Sequence, residues 1–157
     1  MSIVFNAEEV LKMAEQIERN GISFYRRAAE ISPDNKDLLT QLAEQEDKHL
    51  ATFKEMKKEL EDRETESTTF DPEDEAALYL QAIANGKVFD VSKDPVDILK
   101  GDESLADIIK IAIGAEKDSI IFYNGLRVMI SEKQGRGRLD DIIKEEMKHI
   151  IWLVDKL

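Results

Sequence analysis

The chain has 157 residues, and its 34 acidic residues outnumber its 22 Lys and Arg residues, which gives a formal net charge of -12. This charge disfavours nucleic acid and anionic membrane surfaces as partners, because both present negative phosphates. The absence of cysteine excludes disulfides and thiolate-bound metals from these residues. There is neither a transmembrane-length apolar run nor a secretion-signal pattern at residues 1–10, so we expect one cytoplasmic domain over residues 1–157.

Apolar residues recur at spacings of three and four over long stretches, which predicts an all-α protein. Asn6 is a good N-cap, so a first helix is expected to begin after it and to run to about Glu30. Ser32 and Pro33 suit the N-cap and the first position of a second helix that runs to about Glu61. Because this connection is very short, the two helices should form an antiparallel hairpin.

A connector of roughly forty residues follows, from Asp62 to about Ser104. It contains a polar stretch and one brief helical stretch, from Pro72 to about Ala84, which Asn85 and Gly86 should end. A connector of this length can cross the full length of a helical bundle.

Helical periodicity resumes after the connector and predicts a second hairpin. Ser104 is a candidate N-cap for a helix that runs to about Ser131. Gly135 and Gly137 should separate it from a last helix over residues 138–157. Two hairpins joined by a long crossover, with one short extra helix in it, are typical of a ferritin-like antiparallel four-helix bundle.

The two predicted hairpins resemble each other in sequence. A shift of 98 positions makes six of the fifteen residues in 11–25 identical to their counterparts. A shift of 100 positions aligns Glu46 and His49 with Glu146 and His149. The sequence therefore predicts a duplicated helical hairpin.

The two histidines of the chain each follow a glutamate by three positions, as Glu46 with His49 and Glu146 with His149. On a helix this spacing puts both side chains on one face, where they can converge on one metal ion or on neighbouring ions. The alternative is that the histidines are ordinary core residues beside surface glutamates.

On each predicted long helix, one glutamate has apolar or aromatic residues four and seven positions before and after it, so it should point into the core. These glutamates are Glu18, Glu46, Glu116 and Glu146. Four buried carboxylates need compensating positive charge. Lys and Arg residues fall mostly off these faces; the exception, Arg127, is placed to pair with only one carboxylate near the bundle end. Two divalent cations would neutralise the four charges, with His49 and His149 completing the coordination.

With these motifs in place, the sequence resembles the rubrerythrin-like branch of the ferritin-like superfamily, over both hairpins. The resemblance rests on two glutamates that each precede a tyrosine by seven positions and on the two Glu-x-x-His stretches. The residues are Glu18 with Tyr25, Glu116 with Tyr123, residues 43–49 and residues 145–149.

The resemblance implies that two iron ions are bound by Glu18, Glu46, His49, Glu116, Glu146 and His149. It also implies that Glu46 and Glu146 bridge the ions, and that the protein reduces hydrogen peroxide or dioxygen by two electrons. A ferroxidase within a large iron-storing shell, or a non-catalytic bundle held together by zinc or manganese, are the alternatives. Manganese and zinc remain possible because Glu and His accept all three metals.

Two features depart from the family pattern. Ser119 stands where rubrerythrins carry a further carboxylate, and the cysteine-free sequence has no rubredoxin-like domain to deliver electrons. We therefore expect an external electron donor such as a small redox protein. Separately, bundles of this type often pair through their outer apolar residues, so we expect a homodimer. Tyr25 and Tyr123 are expected to hydrogen-bond a ligand or to quench a stray oxidising equivalent; the alternative is that they are ordinary core tyrosines.

Overall fold

The computed structural model describes residues 5–62, 75–84 and 93–157. These residues form five α-helices, three short 3-10 turns and no strand, which confirms the all-α prediction. The helices are α1 (Ala7–Ile31), α2 (Lys36–Glu61), α3 (Glu75–Ile83), α4 (Leu105–Met129) and α5 (Arg136–Val154). None of these helices is long and apolar enough to cross a membrane.

The predicted caps explain where α1 and α4 begin. The Asn6 side chain accepts a hydrogen bond from the backbone N–H of Glu9, and the Glu9 carboxylate accepts one from the backbone N–H of Asn6. Ser104 caps α4 in the same way, by accepting from the backbone N–H of Asp107. Each cap satisfies N–H groups that the first turn of a helix leaves unpaired.

The start of α2 differs from the prediction. Ser32 makes no capping hydrogen bond with its side chain, and residues Pro33–Asn35 form a 3-10 turn. The α-helix begins only at Lys36. The connection remains short, and α1 and α2 pack together as the expected hairpin.

The link between α4 and α5 contains one of the two predicted glycine breaks. Gly135 has φ +106°, in the left-handed region that glycine adopts without strain. Helix α5 begins directly after it, at Arg136, so Gly137 lies inside the helix and the prediction that it breaks the helix is wrong. Helix α4 ends at Met129, two residues before the predicted end at about Ser131.

The four long helices pack as a bundle, and two apolar clusters show how they run. One cluster joins Leu11 of α1 to the end of α2 at Leu60, and the other joins Leu39 near the start of α2 to Ile108 near the start of α4. Helix α4 therefore begins at the bundle end where α2 begins. The end of α2 and the start of α4 thus lie at opposite ends of the bundle, which confirms the ferritin-like crossover.

The short helix predicted in the connector is present as α3, and it packs against α4. Its predicted start at Pro72 and its predicted stop at Asn85 and Gly86 lie outside the described residues.

Candidate metal centre

All six predicted ligands meet in the interior of the bundle, between the two apolar clusters. Their side chains come from all four long helices, and each residue is between 0 and 4% exposed. They are Glu18 of α1, Glu46 and His49 of α2, Glu116 of α4, and Glu146 and His149 of α5.

The ligand atoms form two overlapping groups, in each of which all atoms lie within 4.8 Å of one another. The first group has Glu18 and His49 as its own members, the second has Glu116 and His149, and both include Glu46 and Glu146. Metal–ligand bonds of about 2.1 Å put two ligand atoms at most roughly 4.2 Å apart, so each group needs only a small contraction to enclose an ion.

The carboxylate of Glu146 lies between the two imidazole rings. Its Oε1 is 3.2 Å from Nδ1 of His49, and its Oε2 is 2.9 Å from Nδ1 of His149. Glu46 also approaches the second ring, with Oε1 3.2 Å from Nδ1 of His149. Both histidines thus present Nδ1 to the carboxylates, and Glu146 faces both groups with one oxygen each.

The outer nitrogen of each histidine is held by a residue of the other hairpin. Nε2 of His49 donates to Oε2 of Glu145 at 2.6 Å, and Nε2 of His149 donates to Oε1 of Gln45 at 2.9 Å. Such bonds leave Nδ1 free of its proton when a metal binds there and fix the ring orientation. Sequence reasoning missed both partners, although the shift of 100 positions aligns Gln45 with Glu145.

The two tyrosines hydrogen-bond candidate ligands across the bundle. The hydroxyl of Tyr25 donates to Oε1 of Glu116, and the hydroxyl of Tyr123 donates to Oε1 of Glu18. Burial, reinforced by these nearby carboxylates, raises the pKa of both phenols well above 10. Both phenols therefore remain protonated donors, and each orients a carboxylate of the opposite hairpin.

Burial and mutual repulsion favour protons on the carboxylates when no metal is bound. Burial raises the pKa of Glu18, raises that of Glu46 well above its usual range, and raises that of Glu146 to about 8, with neighbouring carboxylates adding to each shift. For His49 and His149, burial lowers the pKa, but the attraction of the carboxylates around each ring outweighs it and raises the pKa of each to about 12. Protons therefore supply the positive charge of the metal-free cluster.

The unpaired atoms of the cluster fit a metal ion. Among the described residues, the buried side-chain nitrogen and oxygen atoms without a hydrogen-bond partner are Oε2 of Glu18, Oε1 of Glu46, Nδ1 of His49 and both oxygens of Glu146. These atoms are oxygen and imidazole donors, the types that bind divalent transition metals. Buried polar atoms without a partner raise the free energy of the folded state unless a cation binds them.

A nearby carboxylate shows the contrasting arrangement. Glu15 is also buried, but Nζ of Lys57 lies 2.7 Å from its Oε2. In the described part of the chain, no Lys or Arg side chain forms an ion pair with a cluster carboxylate. Arg127, the predicted exception, pairs with Asp140 instead.

This fold and this cluster define a ferritin-like carboxylate bundle, a class in which metal is bound between the four long helices. The chain belongs to the rubrerythrin family, whose family model matches residues 9–153. The family and the Glu/His donor set together indicate iron as the metal.

A solved structure supports the same fold. A protein of Thermotoga maritima, provisionally assigned as a ferritin-like diiron-carboxylate protein, superimposes with a TM-score of 0.72 at 24% sequence identity. The match covers 99% of this chain and 96% of that one. No curated protein matches the chain.

Proposed function

We propose that this protein is a dinuclear iron oxidoreductase that reduces hydrogen peroxide or dioxygen by two electrons. Residues 1–157 act as one ferritin-like domain in this proposal, and Glu18, Glu46, His49, Glu116, Glu146 and His149 hold the two ions. Electrons arrive from an external donor such as a small redox protein, because these residues contain no cysteine to hold a rubredoxin-like iron centre.

The observation that carries the proposal is the overlap of the two ligand groups at Glu46 and Glu146. Two ions that share bridging carboxylates lie close enough to act on the same small molecule. A pair of ferrous ions supplies two electrons, which is the number that cleavage of one O–O bond in a peroxide requires.

The residues around the ligands prepare the site for this chemistry. Gln45 and Glu145 fix the orientation of the two imidazoles. Tyr25 and Tyr123 hold Glu116 and Glu18 through protonated hydroxyls. The apolar clusters on both sides surround the site with hydrocarbon along the bundle axis, and this low-dielectric surrounding strengthens the electrostatic interactions within the site.

Rapid mixing of the iron-loaded protein tests the proposed function. The metal-free protein is loaded anaerobically with two Fe²⁺ per chain and mixed with hydrogen peroxide or with dioxygen while visible absorbance is recorded. We expect faster oxidation by peroxide and no continued iron uptake. Faster oxidation by dioxygen with continued uptake would contradict peroxide reduction and favour the ferroxidase alternative.

A matched pair of variants tests the ligand assignment. Glu146→Ala should bind at least one iron fewer per chain, because Glu146 faces both groups. Glu15→Ala removes an equally buried glutamate outside the cluster and should still bind two. Retention of two ions by the Glu146→Ala protein would overturn the assignment.

A further inference from the structure

A cavity of about 350 Å³ lies between α1, α4 and the 3-10 turn Pro95–Ile98. Tyr25, Glu46 and Glu116 form its buried end, so the cavity reaches two of the proposed ligands. Exposed residues of the turn, together with Lys93, form the opposite end. The cavity thus extends from the bundle surface to the candidate metal centre.

The walls of this cavity are largely apolar. Ile17 and Phe24 of α1 line one side, and Ile98 of the turn lines another. Ser119 of α4 also lines it, but its hydroxyl donates to the carbonyl oxygen of Ala115 at 3.0 Å and is thereby engaged within its own helix. A ligand in this space is therefore in contact mainly with hydrocarbon.

The cavity is much larger than hydrogen peroxide or dioxygen requires. One water molecule occupies roughly 30 Å³ in the liquid, and a diatomic or peroxide molecule is only about twice that size. The cavity instead falls within the range of about 300–1,000 Å³ that is usual for small organic ligands. Its volume is the first observation that indicates a larger substrate.

The charges along the cavity disfavour an anionic ligand. Asp94, Asp97 and Asp118 line it, whereas Lys93 is the single lysine or arginine among its described lining residues. The whole chain carries a net charge of -12, which further repels anions. A neutral molecule with an apolar body fits both the walls and the charge.

We infer that this cavity binds a neutral organic hydroperoxide, with its carbon body between Ile17, Phe24 and Ile98 and its O–O group towards Glu46 and Glu116. This inference rests on the proposed function and names the substrate class of the same site. Two ferrous ions held by the six proposed ligands would supply the two electrons that break the peroxide O–O bond and would be left ferric. With two protons from the buffered solvent, the products would be one alcohol and one water. The external donor protein then returns the two electrons.

Binding of the product alcohol tests the cavity without any turnover. Cumyl alcohol, the reduced form of cumene hydroperoxide, is titrated into zinc-loaded protein while methyl NMR signals are followed. We expect saturable shifts at Ile17 and Ile98, and an affinity loss of about ten-fold or more in Ser119→Leu, whose larger side chain fills the space. The absence of saturable shifts in the unsubstituted protein would overturn the inference.

A comparison of two substrates in a single turnover supplies the second test. The anaerobic ferrous protein is mixed with cumene hydroperoxide or with hydrogen peroxide, and the ratio of the two second-order rate constants of iron oxidation should fall about ten-fold in Ser119→Leu. It should also fall in Ile98→Glu, which changes an exposed residue and so does not depend on repacking of the interior. Gly114→Ala is the control, because a Cβ at Gly114 meets nothing within 4 Å.

The possible outcomes separate this inference from the proposed function. Equal ratios in all four proteins, or oxidation by hydrogen peroxide but not by cumene hydroperoxide, would overturn the cavity assignment and leave the proposed function standing. Failure of both peroxides to oxidise the bound iron would overturn the proposed function itself, and the inference with it.

Discussion

At Gly21, the absence of a side chain leaves room for the carboxylate of Glu46. A Cβ built at Gly21 would lie 2.9 Å from Oε2 of Glu46 and 3.3 Å from its carboxylate carbon. Glycine at this position therefore gives the Glu46 carboxylate the room that it occupies in the cluster. The two oxygens of Glu46 are then placed between α1 and His149.

Gly21→Ala should weaken metal binding without destabilising the metal-free fold. Alanine in a helix interior is better than glycine by about 1 kcal/mol, so the metal-free variant should be at least as stable as the unsubstituted protein. Metal should stabilise it less, because the new methyl group displaces Glu46. Thermal unfolding with and without two equivalents of metal measures both effects.

Gly114→Ala is the control for this prediction, since it gives the same helix-propensity gain with open space around the new methyl group. An equal metal-dependent rise in Tm for both variants would contradict the role of Gly21.

The two histidines differ in the residue that holds their outer nitrogen, which is a carboxylate for His49 and an amide for His149. A carboxylate partner raises the basicity of the metal-binding nitrogen more than an amide does. Glu145→Gln should therefore weaken binding of one ion about ten-fold and bring the two stepwise affinities closer together. Anaerobic competition with a chelator measures both constants.

Gln45→Glu is the reciprocal variant, and it should strengthen binding of the other ion. Unchanged stepwise affinities in both variants would show that the outer partners do not distinguish the two ions.

The inward position of the six candidate ligands was predictable from the sequence, but their cross-bundle partners were not. Periodicity along one helix places Glu18 in an apolar stripe, and that information is local. The pairing of Tyr123 with Glu18, or of Glu145 with His49, depends on how the two hairpins are rotated and aligned against each other. The residues on both sides of the long connector contain no local signal for that alignment.

Among the secondary-structure elements, α3 packs against α4 at very short range around Gly125. Gly125 of α4 is buried under α3, and an added Cβ would lie 2.6 Å from Cδ2 of Leu80 and 2.8 Å from Cδ1 of Tyr79. The hydroxyl of Tyr79 also donates to the carbonyl oxygen of Ile121 at 3.0 Å. Sequence periodicity predicted that α3 exists, whereas its docking position follows only from this packing.

Gly125→Ala should displace α3 and leave the metal centre intact. Overpacking of this kind costs about 1–3 kcal/mol. We expect faster hydrogen exchange in residues 75–83, with two metal ions still bound. Gly114→Ala in the same helix should leave exchange in α3 unchanged, and the same result for Gly125→Ala would contradict the tight contact.

At the level of the whole molecule, protons and metal ions are alternative sources of positive charge for the cluster. The folded metal-free protein holds protons on Glu146 with a pKa of about 8 and on both histidines with pKa values of about 12. The corresponding values are about 4.5 and 6.5 in the unfolded chain. The folded state therefore binds more protons, and its stability falls as pH rises through these intervals.

Bound metal should oppose this pH dependence. Between pH 6 and pH 8.5 the Tm of the metal-free protein should fall, because the protons that stabilise the cluster are lost. The Tm gained on adding two equivalents of metal should grow over the same interval, because protons compete less for the ligands. Thermal unfolding at both pH values measures the two trends, and parallel trends with and without metal would contradict the exchange of protons for ions.

The division of the candidate ligands between the two hairpins predicts how the chain would behave if it were cut in two. Each group takes three residues from one hairpin and a single glutamate from the other, so neither hairpin contains a complete set. Cutting the chain within the connector would give two fragments that complete each other's sites. Their reassociation should then be strengthened by metal and weakened by a chelator, so the severed protein would act as a metal-controlled heterodimer.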